Sequence, residues 1–436
     1  MPRLAIHGGE PVRTRKFPAY KVVGEEEKAA VSRVIDSGIL SRYLGCWHED
    51  FYGGPEVQAF EKEWAAHFGV KHAIAVNSCT SGLQAAVGAV GIGPGDEVIV
   101  SPYSMAVSAT VPLWYGAIPV FADIEPEQFC LDPESVRARI TPRTKAIIVV
   151  DIMGQPYDVE AINAIAKEHG LTVIEDCAQA PGAMYKGRYA GTLGDMGVYS
   201  LNYHKHIHTG EGGVVVTDDD RLAERLRLIR NHAEAVVGDK GETDLVNMLG
   251  SNFRLTEIQA AIGREQLKKL SGLVEARLRN CTYLAEKLGA FPGIRAPKVR
   301  EGATHVYYMQ PFLFDEGIVG VPRDAFIDAV RAELPPTELR EAEGPQLSVG
   351  YVKPLYLMPL FQKKIAIGRD GYPFVSPYHP GNVSYAKGIC PVVERLHEKE
   401  LFLNEFMRPP ATQEDMDDVV HAFEKVYGHR DELRAA

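Results

Sequence analysis

What is scarce in this sequence narrows its class. Six cysteines are spread over 436 residues. Cys46, Cys79, Cys130, Cys177, Cys281 and Cys390 form no CxxC pair, so they read as reduced thiols, not as a disulfide framework or a zinc site. No run of about 18 apolar residues occurs, so no membrane-spanning helix is expected. The opening MPRLAIHGGEPVRTRKFPAY has no long apolar core, so no secretory leader is expected and a cytoplasmic location is. Positive charge is short as well. The net charge is −11 and the pI near 5.7, which argues against nucleic acid and anionic membrane as partners. There is no GxxxxGK[ST] loop. The glycines of GAVGIGPGDEV precede a strand instead of following one, which suits a helix-to-strand turn better than a dinucleotide loop. No internal repeat or low-complexity segment is present.

What is there is ordinary globular composition, with 45% hydrophobic and 24% charged residues, in a chain long enough for more than one core. From about residue 72 short β-branched runs alternate with helix-like stretches. The runs are HAIAVNS, DEVIVSP, AIPVFADI, TKAIIVVDI, LTVIEDCA, MGVYSLN and EGGVVVTD. TSGLQAAVGAVG and DVEAINAIAKEHG lie between them as helices. This alternation predicts a mainly parallel sheet covered on both faces, with ligands at the carboxyl ends of its strands. Beyond Thr217 the sequence turns helical, with one long helix in LTEIQAAIGREQLKKLSGLVEARLRNCTYLAEKLG. The expected division is an N-terminal segment 1–35, a large domain 36–274 and a smaller C-terminal α/β domain 275–436.

The stretch NYHKHIHTGEGG poses the functional question. His204, His206 and His208 alternate, but no carboxylate or cysteine with ligand spacing accompanies them, so no metal is assigned. Lys205 is different. A lysine amine forms a Schiff base with a carbonyl cofactor. Pyridoxal phosphate also needs a carboxylate for its ring nitrogen, a phosphate cradle and a surface against the ring. Asp176 closes the strand LTVIED. Gln179 follows it and is placed to reach the cofactor hydroxyl. Ser78, Thr80 and Ser81 sit where HAIAVNS turns into a helix, and Ser200 ends MGVYS. Each alone fits a helix cap or a loop equally well. Their joint order favours the cofactor.

With these pieces assembled, the chain resembles the DegT/DnrJ/EryC1/StrS family of sugar aminotransferases. The likeness runs through residues 53–86, 122–162, 173–187, 204–219 and 251–270, and the EDCAQA and HKHIHTGEGG segments are its most specific parts. The resemblance implies an aspartate-aminotransferase-like fold (fold type I), α/β, with a mainly parallel seven-stranded sheet in the large domain. It implies that Lys205 is the Schiff-base lysine, that Asp176 pairs with the pyridine nitrogen and that Gln179 contacts the ring hydroxyl. Thr80, Ser81 and Ser200 hold the phosphate. Asn252, with Arg254 as a second candidate, reaches the phosphate in the partner subunit of a homodimer with a shared active site. Where the family carries an aromatic residue against the ring, this chain has Met105 in SPYSMAVSAT, with Tyr103 nearby but out of register.

The activity implied is transfer of an amino group from glutamate or glutamine to a keto sugar, nucleotide-linked or free, or to a keto cyclitol. Tyr43, Trp47, His204, His208, His305 and Tyr307 are further candidates for substrate contact. Two alternatives stand beside this reading. A sugar dehydratase of the same fold carries histidine in place of the lysine, whereas Lys205 is present. A non-catalytic regulatory relative would be expected to lose Lys205 or Asp176, and both are kept.

Overall fold

The computed structural model describes residues 3–434. Helices α1 (Glu25–Ser37) and α2 (Pro55–Phe68) lead into β1 (His72–Val76), α3 (Cys79–Val90), β2 (Glu97–Val100), α4 (Val107–Trp114) and β3 (Ile118–Phe121). Then come α5 (Pro133–Arg139), β4 (Thr144–Val150), α6 (Val159–His169), β5 (Thr172–Asp176), the hairpin β6 (Met184–Tyr185) and β7 (Arg188–Tyr189), β8 (Met196–Ser200), β9 (Gly213–Thr217) and α7 (Asp220–Arg230). Seven of these strands form one sheet in the order β1-β9-β8-β5-β4-β2-β3. The neighbours from β8 to β3 run parallel, while β9 is antiparallel to both β8 and β1. The mainly parallel, seven-stranded expectation therefore stands, and the seven apolar runs are its seven strands.

The strands are apolar along their whole length because helices cover both faces. Ile147, Ile148, Ile174, Val198 and Val215 are fully buried. Caps set the helix starts. Ser78 accepts the Ser81 N–H at 3.0 Å, and Asp158 accepts the Ala161 N–H at 3.1 Å.

A second sheet follows. Helix α8 (Glu257–Gly289) begins at a Thr256–Gln259 capping box and serves both cores. Leu267, Leu270 and Val274 pack in the first, and Cys281, Leu284 and Leu288 in the second. The expected division at 274/275 thus runs through the middle of one helix. The second sheet has the order β10 (Ile294–Arg295), β11 (Gln310–Phe314), β13 (Leu401–Asn404), β12 (Leu347–Val349), all antiparallel. Residues 355–396 leave this unit. Tyr356, Phe361 and Tyr385 ring Phe121 of the edge strand β3, and the Tyr385 hydroxyl donates to Pro119 O at 2.9 Å. An exposed edge is a site for unwanted pairing, and this return covers it. The N-terminal segment spans both units. Leu4 and Phe17 lie in the second core, Arg13 pairs with Asp415 and Asp418, and α1 packs on α8. No helix among the described residues is long and apolar enough to cross a membrane.

One glycine sets the distance between α3 and the sheet. A Cβ on Gly82 would lie 2.7 Å from Val198 Cγ1 and 3.1 Å from Val215 Cγ2. Both neighbours are β-branched side chains with little rotamer freedom. Gly82→Ala is expected to cost about 1–3 kcal/mol through overpacking, read as a lowered urea midpoint. Gly238→Ala, where a Cβ would meet nothing within 4 Å, should leave the midpoint in place.

Candidate active site

At the carboxyl ends of β1, β5 and β8 lies a cavity of about 420 Å³ lined by Ser78, Thr80, Met105, Asp176, Gln179, Ser200 and Lys205, together with Ser104, Asn202, His204, Glu211 and Tyr308. Residues read from separate stretches of sequence thus meet at one place. Ser81 does not join them. Its hydroxyl donates to Asn77 Oδ1 at 2.6 Å and accepts the Ser78 N–H at 3.1 Å, so it closes the capping box of α3 instead of facing the cavity. Asn252 also lies outside this cavity. It is exposed, and its carbonyl accepts from Asn77 Nδ2 at 3.3 Å, beside the start of α3. Arg254 is held by Asn231 Oδ1 at 2.6 and 2.8 Å.

Lys205 is buried, with its Nζ 4.2 Å from the centre of the Tyr308 ring. It makes no ion pair among the described residues. The loop that carries it is knitted from several sides. Its own amide donates to Asn202 O at 2.9 Å, and Asn202 Nδ2 donates to Glu211 Oε1 at 2.9 Å. The neighbouring His206 is fully buried and its ring bonds Val306 O at 2.9 Å. Burial, with the Arg277 guanidinium adding to it, holds His206 well below the usual histidine range, so it is neutral at physiological pH. The Tyr20 hydroxyl donates to His206 O at 2.5 Å. The three histidines point three ways: His206 to Val306, His204 toward Glu343 Oε1 at 3.7 Å, and His208 Nδ1 to the Gly210 N–H at 3.3 Å.

Asp176 is the last residue of β5 and is buried. Burial pushes its carboxyl up, and three groups oppose that. Ser108 Oγ donates to Oδ2 at 2.7 Å, the Ala178 N–H donates to Oδ1 at 3.2 Å, and the Lys205 charge is near. Glu175 beside it points the other way, into the amides of Gly191, Leu193 and Gly194, which ties the following loop to β5. Gln179 Oε1 accepts the Met153 N–H at 2.7 Å, and Nε2 donates to the Tyr351 hydroxyl at 3.1 Å. Met153 has a left-handed φ of 59°, uncommon for a side chain of its size. It is held there because its carbonyl also accepts the Tyr308 N–H at 2.7 Å.

At the opposite wall, α3 points its N-terminus at the cavity. The Cys79 and Thr80 amides belong to the first turn and have no intrahelical acceptor, which makes this end an anion site. The glycines of TGEGG explain how close the lysine loop lies. A Cβ on Gly213 would sit 2.7 Å from Cys79 N and 2.7 Å from Ser78 C. Met105 is half exposed at the mouth, and Tyr103 is fully buried off the cavity with its hydroxyl accepting the Tyr351 N–H at 2.6 Å. Of the other substrate candidates only His204 lines the cavity. Tyr43 is buried under Arg230, His305 and Tyr307 stack on each other at 3.8 Å, and Trp47 is exposed beneath Lys240. Sequence reasoning missed Ser104, Ser108 and Tyr308. Ser104 stands in the bend before α4 and Ser108 in its first turn, so no helical spacing in the sequence announces the pair. Tyr308 arrives from the second unit and has no local signal.

A crossover sheet with its cavity at the carboxyl ends of the strands belongs to the aspartate-aminotransferase-like class, fold type I. The solved structure of DesI in the presence of its TDP-sugar product matches the chain with a TM-score of 0.79 and 28% identity, covering 99% of this chain and 98% of that one. Residues 23–424 match the model of the DegT/DnrJ/EryC1/StrS aminotransferase family, and the chain belongs to that family. It is 34% identical over 449 residues to the L-glutamine:2-deoxy-scyllo-inosose aminotransferase of Streptoalloteichus tenebrarius, with 99% of each chain covered. It is 33% identical to the spore coat polysaccharide biosynthesis protein SpsC of Bacillus subtilis (strain 168), over 92% of this chain and 94% of that one.

The approach of Gly213 yields a test of the cavity wall. In Gly213→Ala the new methyl meets backbone, so the Ser78–Cys79 peptide must move. Activity is expected to fall on the order of a hundredfold, since displacement of a binding group by about 1 Å carries such a cost. Steady-state kinetics alongside far-UV circular dichroism would check it, the dichroism being expected to remain unchanged.

Proposed function

We propose that this aminotransferase uses pyridoxal phosphate bound at Lys205 to move an amino group from glutamine or glutamate to a keto cyclitol or keto sugar. The observation that carries the reading is the convergence on one cavity of a buried lysine without an ion pair, a buried aspartate and the N-terminus of α3. These fit the cofactor's three demands: an amine for its carbonyl, a carboxylate for its ring nitrogen and donors for its phosphate. The cyclitol reading draws on the end-to-end likeness to the L-glutamine:2-deoxy-scyllo-inosose aminotransferase. The sugar reading draws on DesI with its TDP-sugar product.

The residues divide the work. Pyridoxal phosphate, when bound, supplies an electron sink that eases removal of the proton beside the donor nitrogen. Lys205, once its amine is free, would take that proton from the carbon bearing the donor nitrogen and return it to the carbon on the other side of that nitrogen, acting as base and then acid. Asp176 stays ionised and holds the ring nitrogen in its protonated form. The Thr80 and Ser200 hydroxyls and the first-turn amides of α3 would hold the phosphate, with Ser78 lining the same end of the cavity while its hydroxyl caps α3. Gln179 keeps one Nε2 hydrogen beyond its bond to Tyr351, which would be available to the ring hydroxyl. Met105 would pack its thioether on a ring face.

A homodimer completes the site, with Asn252 reaching the partner's phosphate and Arg254 standing behind it. Large apolar side chains left exposed in one chain support this. Met105 is 55% and Leu249 84% exposed, and Leu245, Val246 and Trp47 are also open.

Lys205→Ala is expected to lower turnover by about a thousandfold or more, the scale of a positioned proton-transfer group. Titrating pyridoxal phosphate into the wild type should raise a visible absorption band that Lys205→Ala lacks. Glutamine or glutamate should bleach it, and the treated protein should then aminate a keto cyclitol or keto sugar without further donor. A protein that takes up no pyridoxal phosphate sinks the reading. One that binds it and ignores both donors points to the dehydratase chemistry of the same fold.

A further inference from the structure

Asp176 faces a conflict that the proposed cofactor site does not itself resolve. It must remain ionised, yet it is 3% exposed and burial favours its neutral form. Of the groups opposing protonation, the Lys205 charge is not permanent, because the amine gives up its charge when it engages a carbonyl. What persists is the Ala178 N–H on Oδ1 and the Ser108 hydroxyl on Oδ2 at 2.7 Å. Ser108 is completely buried, and its oxygen lies 3.0 Å from the hydroxyl of Ser104, itself 2% exposed. A hydroxyl has one proton. Ser108 spends its proton on Asp176, so Ser104 must be the donor in the second bond. The chain therefore has one direction, Ser104 to Ser108 to Asp176, and each bond polarises the next.

The geometry points to Ser108 as a positioning residue of the reaction, with Ser104 acting through it, that keeps Asp176 ionised and aimed at the cofactor ring nitrogen. This rests on the reading of Asp176 as the ring-nitrogen partner. Helix α4 is the means. Ser104 lines the cavity in the bend before the helix and Ser108 lies in the helix's first turn, so the chain's entry into α4 brings the two hydroxyls to 3.0 Å and sets Ser108 against the end of β5. Asp176 has two oxygens, and with one N–H on the first and one O–H on the second its rotation is fixed while lone pairs remain for the ring.

The test uses the full-length enzyme reconstituted with pyridoxal phosphate, and reads cofactor affinity and the pH dependence of the bound absorption band besides activity. A hydrogen bond to a charged group is worth enough to predict that Ser108→Ala raises the cofactor Kd by about tenfold or more. It also removes an interaction that favours the carboxylate, so Asp176 protonates at higher pH, and the acid limb of the profile moves up. Ser108→Thr keeps the hydroxyl and is expected to restore both. Ser104→Ala should shift the limb in the same direction by less. The Ser104→Ala/Ser108→Ala double variant should match Ser108→Ala alone, because Ser104 has no other route to Asp176.

A merely structural role for these serines would lower the melting temperature and leave the acid limb in place, which overturns the proposal. Additive effects in the double variant overturn the relay. If Ser108→Ala does not fold, an unmoved limb in Ser104→Ala is enough to reject it. Asp176→Asn separates the levels. If it keeps wild-type affinity and pH profile, the ring-nitrogen assignment itself is wrong. If it is impaired while Ser108→Ala is not, only the serine chain is wrong.

Discussion

On the function proposed, the site depends on a carboxylate that stays charged inside a core. Asp176 ends a central strand, where the sheet is flanked by helices and water is excluded. That location gives its charge reach, because electrostatic interactions weaken little in a dry surrounding. It also makes the charge costly to keep. The protein meets the cost locally, with an amide from its own turn and a hydroxyl from α4. It also turns Glu175 away into three backbone amides, so the adjacent acid does not add its full repulsion. Alternation along the strand does this unaided, since consecutive side chains face opposite ways.

The second requirement is close approach. The lysine loop and the first turn of α3 follow different strands of the sheet, yet both line one cavity. They meet because β9 pairs with β1 and β8, so that Gly213 lies opposite both Val76 and Ser200. Glycine at that register lets the Ser78–Cys79 peptide pass within contact of the strand backbone. Gly213, the last residue of TGEGG, thus has a steric cause, whereas Gly210 in the same stretch takes a left-handed φ of 83° with nothing within 4 Å of where a Cβ would lie.

Much of this was legible in the sequence, and the pattern of success is physical. The seven strands announced themselves because buried parallel strands are apolar throughout. That Lys205, Asp176, Gln179, Thr80 and Ser200 line one cavity was legible because each ends a recognisable strand or lies in the loop or helix start that follows one. What sequence could not supply came from long-range packing. Tyr308 reaches the lysine across about a hundred positions, held by a carbonyl at Met153. Residues 355–396 read as part of a C-terminal unit but return to cover β3, because the edge strand and its aromatic cover recognise each other only in three dimensions. Ser81 misled because a serine at a helix start has two uses, and the choice between cap and ligand depends on which way the hydroxyl turns.

Lys205, the proposed Schiff-base lysine, stands on a loop, not on a strand, and its placement is therefore a tertiary property. Two distant segments fix it. Tyr20 of the N-terminal segment holds the carbonyl of His206, the carbonyl of Val306 on the segment leading into β11 receives the His206 ring, and Tyr308 lies against the lysine amine. The N-terminal segment is in turn anchored in the second core through Phe17 and Arg13. A neutral, buried imidazole suits this role. It offers a directional bond without adding a charge that would compete with Lys205 for Asp176. The loop is thus held by the same segment, ahead of β11, that supplies Tyr308 to the cavity wall, and that segment is itself fastened to the first unit where the carbonyls of Gly154 and Met153 accept the Val306 and Tyr308 N–H groups at 2.8 and 2.7 Å. The position of Lys205 is then secured by this packing as much as by the sheet that carries Asp176.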